Sequence, residues 1–331
     1  MIISRTPFRI SFVGGGTDLR AFYIEEPGQV LSSSIDKFIY VVVKRQIGIV
    51  ENKFRINWSK VEFCNRIEEI EHPIVRETLK LLEIDYPLEI TTFADIPAQT
   101  GLGSSSAFTV GLLHALYALK GEMVTKYQLA STAATIEVNK LGRIIGKQDH
   151  FASSYGDINV INFYHDEKVV VEPVFYRPET LIELEKNMIM FYTKLKRDSS
   201  EILESQNRET SKKRVILQKM KNLVPELQRV LSSGVDLNEV GEILHNGWEL
   251  KRSITPEISN TMIDEYYQRA RKAGAIGGKL LGAGGGGFIL FYVEQQNKQR
   301  VIESLKELYH MPVGIHSGGS RITYYDQTKV S

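Results

Sequence analysis

The segment Pro97-Ala98-Gln99-Thr100-Gly101-Leu102-Gly103-Ser104-Ser105-Ser106-Ala107 carries two glycines that free the backbone to wrap a ligand, just where three hydroxyls open a helix. Free amide N–H groups and the positive end of a helix dipole suit a di- or triphosphate at such a start, and a serine hydroxyl can add a ligand to Mg²⁺. Downstream, the stretch Ile136 to Asp149 holds two acids of interest, Glu137 and Asp149. Phosphoryl transfer from a nucleotide uses a cation bridging phosphate oxygens and, commonly, a group that accepts the acceptor hydroxyl's proton. Glu137 suits the first task and Asp149 the second. Taken one at a time, these features read as plainly as a Gly/Ser loop with a Ser N-cap, a solvated helix Glu and a loop-capping Asp.

The elements that position them follow from periodicity. Leu88–Phe93 alternates as a strand, and Ala107–Leu119 carries Phe108, Leu112, Leu113 and Leu116 at helical spacing, so the glycine segment joins strand to helix. A second glycine segment, Gly14-Gly15-Gly16-Thr17-Asp18, ends a strand in which Phe8, Ile10 and Phe12 share one face and Arg9 and Ser11 the other. A third, Gly277 to Gly287, lies between two apolar strands as a hairpin or tight turn. It matches G-x-G-x-x-G at Gly282, Gly284 and Gly287, the dinucleotide pattern of hydride-transferring enzymes. That pattern should open a helix and precede an acid about 20 residues on, whereas here a strand follows directly. A Walker A loop and the His-Arg-Asp and Asp-Phe-Gly signatures of protein kinases are absent.

At 331 residues the chain is long enough for two domains. Lys+Arg 41 against Asp+Glu 40 leaves no global field to attract nucleic acid or an anionic membrane, so small-molecule partners are expected. The single cysteine, Cys64, cannot form an internal disulfide, and with no leader-like or long apolar run the expected compartment is the cytoplasm. The scattered histidines show no zinc-ligand spacing. The fold class is α+β, with one domain over residues 1–180 and a second over 181–331. In the second, Met188–Thr193 reads as a strand, Ser199–Ser232 and Leu237–Ala273 as helical, Ala275–Leu281 and Phe288–Val293 as strands, Lys298–Tyr309 as a helix and Arg321–Tyr325 as the last strand. That β-α-β-β-α-β order predicts a split βαβ, ferredoxin-like domain with helices inserted after its first strand.

The three glycine segments, in this order and spacing, resemble the GHMP kinases, a family that includes galactokinase, homoserine kinase, mevalonate kinase and phosphomevalonate kinase. The central motif Pro-x-x-x-Gly-Leu-Gly-Ser-Ser is met by Pro97 to Ser105. Within the family, Thr6 to Phe12 with Gly14 to Asp18, Ile35-Asp36-Lys37, Gly146-Lys147-Gln148-Asp149 and Gly277 to Gly287 resemble the bacterial D-glycero-D-manno-heptose 7-phosphate kinases. The resemblance implies an N-terminal domain like domain 2 of ribosomal protein S5, with ATP lying between it and the ferredoxin-like domain. It implies ATP contacts at Pro97, Gly101, Leu102, Gly103, Ser104, Ser105 and Ser106. It also implies a Mg²⁺ shell completed by Ser105 and Glu137, with Ser104 as a substitute for Ser105. By resemblance to galactokinase, Arg9 sits beside the catalytic Asp149, and Asp18 corresponds to a sugar-contacting carboxylate. Gly15-Gly16 replaces that relative's Glu-His, so its sugar preference is not carried over.

The substrate side is assigned to Thr17, Asp18, Arg197, Gly284 and Gly285. Lys194, Lys196, Arg197, Lys251 and Arg252 are the candidates for a phosphate on the sugar. Arg197 is favoured because its setting resembles the heptose subgroup and Arg can chelate phosphate at a helix start. Trp248 and Tyr155 are either sugar-site or core aromatics. The implied reaction is ATP-dependent phosphorylation of D-glycero-α-D-manno-heptose 7-phosphate at O1, for nucleotide-activated heptose and bacterial surface polysaccharide. Another monosaccharide 1-kinase, of fucose or galactose type, and a non-catalytic nucleotide or sugar sensor are the alternatives. Oligomeric state is not readable from the chain.

Overall fold

The computed structural model describes residues 1–47, 49–195 and 199–326. Strand β1 (Ile2–Val13) is buried along nearly its whole length, so it serves two layers at once. It is followed by the one-turn α1 (Arg20–Tyr23), β2 (Gly28–Arg45), β3 (Phe54–Asn57), β4 (Val61–Cys64), α2 (Pro73–Leu81) and β5 (Leu88–Ala94). The first half closes with α3 (Ser104–Lys120), α4 (Lys126–Ala134), α5 (Gln148–Tyr155), β6 (Ile158–Phe163) and β7 (Val169–Pro173). The second half begins α6 (Pro178–Asn187), β8 (Met188–Tyr192), α7 (Ser199–Glu209), α8 (Arg214–Ser233), α9 (Asn238–Arg252) and α10 (Thr261–Ala273). It ends with β9 (Gly277–Leu280), β10 (Phe288–Tyr292), α11 (Gln295–Ser304), β11 (Tyr309–Met311) and β12 (Arg321–Tyr325).

The larger sheet has the order β12-β1-β2-β5-β3-β4, with β6 and β7 attached to β2. At 18 residues, β2 is long enough for Gly28–Ser33 to pair with β6 while Ile39–Arg45 pair with β5. α3 packs on β1 and β2, and α8 and α9 also reach β1, so helices of both halves cover it. α3 is apolar almost all round because it is buried almost all round. Gly111 allows its close approach: a Cβ there would lie 2.8 Å from Thr6 Oγ1. Phe8, Ile10 and Phe12 join Leu112, Leu113 and Leu116 in a core that also takes in Val224 and Leu290 from the second half. Truncating one such residue, Leu113 to Ala, is expected to cost about 2–5 kcal/mol.

The smaller sheet has the order β11-β8-β10-β9, every neighbouring pair antiparallel. In chain order this is fourth, first, third, second strand, with α7 to α10 inserted after the first, which is the expected ferredoxin-like arrangement. Two strand assignments are corrected. α11 ends at Ser304, and Tyr309, expected to close that helix, instead opens the fourth strand, β11. Three residues ahead of Pro312 are too few to show a period of two. Arg321–Tyr325, expected in this sheet, pairs antiparallel with β1 in the larger one, Ile2 opposite Tyr325. Which sheet an edge strand joins is a tertiary choice that its local pattern does not carry. The region Leu237–Ala273 divides around Pro256, where Thr255 is extended (φ −142, ψ 150) as a residue before proline tends to be. Among the described residues, no helix is long and apolar enough to cross a membrane.

Candidate active site

A cleft of about 1110 Å³ is lined by all three glycine segments, together with Arg9 and Ser11 of β1, Glu137, the 141–149 loop and Lys251 of α9. Its floor is the start of α3. The N-cap is Gly103, in the left-handed region (φ 76), and it offers no side-chain oxygen to the helix. The first intrahelical bond runs from Ala107 N–H to the Gly103 carbonyl, so the amides of Ser104, Ser105 and Ser106 are the unpaired first-turn donors. An uncapped start of a 17-residue helix facing a cleft has the donors and dipole end that suit an anion. The first and third glycine segments meet backbone to backbone here. A Cβ on Gly101 (φ +83) would lie 2.5 Å from the Leu281 carbonyl, and one on Gly287 would lie 2.3 Å from that of Thr100. Leu102, expected to touch nucleotide, is instead fully buried in the core; its carbonyl accepts the Arg9 N–H.

Beside this floor, Arg9 grips Asp149 through two parallel bonds, Nε to Oδ1 and Nη2 to Oδ2, each 2.6 Å. Nη1 donates to the Gly101 carbonyl at 2.8 Å, which ties the pair to the glycine loop. Arg9 is 6% exposed and Asp149 20%, so the carboxylate keeps an edge on the cleft while the guanidinium is held beneath it. A forked pair of this kind fixes the orientation of the carboxylate as well as its charge.

Glu137 sits in a wide π-helical turn (Thr135–Lys140) and is fully buried. Oε2 accepts from Ser105 Oγ (2.6 Å) and Arg143 Nη1 (2.6 Å); Oε1 accepts from Thr109 Oγ1 (2.9 Å) and is 3.1 Å from His150 Nε2. Burial pushes the carboxyl up, but the His150 and Ser105 hydrogen bonds and the charges of His150 and Arg143 outweigh it and hold the group at about 2. Arg143 Nη1 also donates to Ser105 Oγ at 2.7 Å. The Ser105 and Glu137 oxygens thus converge on a position that already takes a positive charge. Among the described residues, no three acidic, His or Cys side chains gather. One carboxylate and one hydroxyl therefore suit an ion such as Mg²⁺, which keeps most of its ligands as water and phosphate.

On the other side of Asp149, Asp18 is buried and accepts from Gly16 N–H (2.9 Å) and Gln148 Nε2 (2.9 Å). Burial raises its carboxyl above the ordinary range, and the charge of Asp149 adds to this, against the lowering hydrogen bonds. Gly146 is required by this contact, since a Cβ there would lie 1.8 Å from Asp18 Oδ2. Two buried polar atoms lining the cleft, Ser11 Oγ and Gln148 Oε1, have no partner among the described residues.

Two assigned substrate contacts are corrected. The Thr17 hydroxyl is buried, donating to the Gly14 carbonyl (2.8 Å) and accepting from Gln29 N–H (3.0 Å), so it braces the second glycine loop. Gly284 lines the cleft, but Gly285 is buried with its N–H on the Ile258 carbonyl (2.9 Å). Arg197 and Lys196 lie outside the described residues. Lys194 turns to the Glu307 carbonyl, and Arg252 to Glu249 and Asp264, so of the basic candidates that are described Lys251 lines the cleft. Trp248 is fully buried against Tyr267, and Tyr155 packs on Phe151; both belong to the core.

Sequence reasoning missed Thr109, Arg143, His150, Gln148 and Lys279. A signal for Thr109 exists, because Ser105 and Thr109 are four apart on α3 and so share a face toward Glu137. Three successive residues opening α5 fan out to three groups: Gln148 to Asp18, Asp149 to Arg9 and His150 to Glu137. Arg143 comes from an irregular loop with no periodic signal. Lys279, buried in β9, crosses to β1 and donates to the Ser11 and Phe12 carbonyls, each at 2.7 Å.

Two family descriptions match the chain: the GHMP kinases N terminal domain over residues 65–157 and the GHMP kinases C terminal domain over 223–310, together more than half of it. The chain is 27% identical to the D-glycero-alpha-D-manno-heptose 7-phosphate kinase of Campylobacter jejuni over 322 residues, covering 92% of this chain and 93% of that one. Its fold matches a structure described as a D-glycero-D-manno-heptose 1-phosphate kinase from Bacteroides thetaiotaomicron, at 23% identity and a TM-score of 0.80, covering 99% of this chain and 100% of that chain. It also matches Lactococcus lactis galactokinase complexed with galactose, at 19% identity and a TM-score of 0.74, covering 97% and 94%. The chain therefore belongs to the GHMP kinases and is a phosphotransferase.

Proposed function

We propose that the enzyme moves the γ-phosphoryl group of ATP to O1 of D-glycero-α-D-manno-heptose 7-phosphate, giving the 1,7-bisphosphate and ADP. The observation that carries the chemistry is the Arg9–Asp149 pair standing between the uncapped start of α3 and the buried Asp18. In this reading ATP phosphates lie on the amides of Ser104, Ser105 and Ser106. The sugar hydroxyl sits on Asp149, with ring hydroxyls donating to Asp18. The acceptor oxygen bonds to the γ-phosphorus as the bond to the ADP oxygen breaks, and the acceptor proton passes to Asp149. Arg9 fixes the orientation of the Asp149 carboxylate and offsets charge on the phosphoryl oxygens. Ser105 and Glu137 would hold Mg²⁺, which when bound supplies charge neutralisation at the phosphate oxygens.

Support for the heptose comes from the similarity to the Campylobacter jejuni heptose 7-phosphate kinase. The two heptose relatives are named for phosphates at different carbons, 7 and 1; the first rests on sequence over 92% of the chain, the second on fold. The bisphosphate is a fitting precursor of nucleotide-activated heptose for bacterial surface polysaccharide. A free-monosaccharide 1-kinase is the second reading, favoured by the fold shared with a galactose-bound galactokinase. ADP release measured with heptose 7-phosphate, free heptose, galactose, fucose and mevalonate separates them. The proposal expects heptose 7-phosphate to exceed every other sugar in kcat/KM by at least tenfold, and equal or better turnover of galactose or fucose overturns it.

A further inference from the structure

Lys251 is buried on α9 and lines the cleft, yet among the described residues no carboxylate pairs with it. Among the described residues, its ammonium donates to one acceptor, the Gly282 carbonyl. Gly282 is the residue of the third glycine segment that lies against Gly101, whose own carbonyl holds Arg9 Nη1. Lys251 and Arg9 are therefore anchored on two adjoining turns of backbone, one from each half of the chain.

The charges acting on Lys251 are Arg9, Asp18 and Asp149, and Lys279 stands close enough to feel it in turn. Arg9 and Asp149 cancel as a forked pair. Asp18 is held by neutral donors, the Gly16 and Gln148 amides. The Lys279 amine is committed to two carbonyls of β1, and burial followed by the charges of Lys251 and Arg9 lowers its pKa far below the ordinary range. What remains is an ammonium, out of water, with two N–H groups free of described acceptors. Such a group is unfavourable until an anion reaches it. Its pKa is lowered to about 8 by burial and by Arg9, which fits a site completed by a ligand's negative charge.

We propose that Lys251 is a catalytic residue, its ammonium contacting the phosphoryl group as it passes from ATP to the acceptor oxygen at Asp149. This rests on the reading of the cleft as the place of phosphoryl transfer. The transferring group is preferred over a second phosphate on the sugar because Gly282, the anchor of Lys251, abuts the glycine loop that leads into the start of α3. The two halves of the chain would then each supply one cation to the same three phosphoryl oxygens, Arg9 from β1 and Lys251 from α9.

The test compares Lys251→Met and Lys251→Arg with the parent enzyme. Lys251→Met is expected to lower kcat by on the order of 10²–10³ on the preferred sugar, as loss of one preorganised charge at a developing anion does. The Kd for Mg·ATP should stay within about threefold, and Lys251→Arg should recover at least tenfold of the lost rate. The parent's kcat/KM for Mg·ATP, which reports the free enzyme, should fall as pH rises through about 8, and that limb should vanish in Lys251→Arg, because arginine does not titrate there. Arg9, Asp18, Asp149 and Lys279 face the same position and are unchanged in both variants.

A readout independent of the sugar is ³¹P NMR of Mg·ATP bound without acceptor. The γ-phosphate resonance should differ between parent and Lys251→Met while that of the α-phosphate does not. If no sugar is turned over, this spectrum alone decides. An unchanged γ resonance overturns the proposal, as does undiminished kcat. A loss confined to KM for phosphorylated sugars also overturns it and assigns Lys251 to the sugar's own phosphate.

Discussion

Replacing Asp149 by Asn keeps the side chain's shape and removes its charge and its basicity. The structure sets the cost. Asp149 receives two bonds from Arg9, both at 2.6 Å, whereas an amide has one acceptor oxygen, and its NH₂ would oppose the second guanidinium N–H. One charge-assisted bond is lost and Arg9, 6% exposed, keeps no counter-charge, at about 3 kcal/mol together, a cost a chain of this size can bear. The protein should therefore stay folded, with a modestly lower melting temperature. The chemical step fares worse, since the proton acceptor is gone: kcat should drop by on the order of 10²–10⁴, about 2.7–5.5 kcal/mol of barrier. In the proposed arrangement ATP lies on the start of α3 and not on Asp149, so its Kd should change by less than about threefold. ADP release at saturating ATP and sugar gives kcat, calorimetry gives Kd, and a thermal melt checks the fold. A variant with intact fold and kcat within about threefold of the parent would remove Asp149 from the mechanism.

Glu137→Gln should raise the half-saturating Mg²⁺ concentration at least tenfold and Ser105→Ala by less, since the first takes a charged ligand and the second a neutral one; unchanged Mg²⁺ titrations for both would refute the assignment. Gly101→Ala introduces a Cβ 2.5 Å from the Leu281 carbonyl at φ +83, so it should cost at least about 2 kcal/mol in a denaturant melt and weaken ATP binding with it. A melt within error of the parent would mean that the two glycine loops are not in contact in solution. Arg197→Ala should raise KM for heptose 7-phosphate at least tenfold, about 1.4 kcal/mol, with little change for free heptose or ATP. Equal losses on phosphorylated and free sugars would assign Arg197 to the fold or the chemical step.

Local chemistry in this chain was legible where it coincided with a local backbone demand. The glycine loop, the three serines and the helix after them are contiguous, so the run from Pro97 to Ala107 carries both the uncapped donors that line the cleft and the element that presents them. Glu137 and Asp149 could be singled out as acids near that helix, and Arg9 as a cation on a strand face. What surrounds them could not. His150, Gln148 and Arg143 act through directions set by a helix start and an irregular loop, and Lys279 acts across the two halves. Thr17 and Gly285 mark the opposite failure. Both belong to ligand-like motifs, but the hydroxyl of one and the amide of the other are taken up by the backbone beside them. A motif locates a loop; it does not say which of its polar groups the fold consumes. The same limit applies to Arg321–Tyr325, whose strand character is local and whose sheet is not.

The most direct test of the central claim is to incubate the protein with Mg·ATP and heptose 7-phosphate carrying ¹³C at C1, and to locate the new phosphate by ³¹P and ¹³C NMR. The account predicts a second phosphate resonance split by coupling to C1, stoichiometric with ADP and absent when Asp149 is replaced by Asn. ADP formed without that coupling, or a phosphate appearing on another carbon, would contradict it.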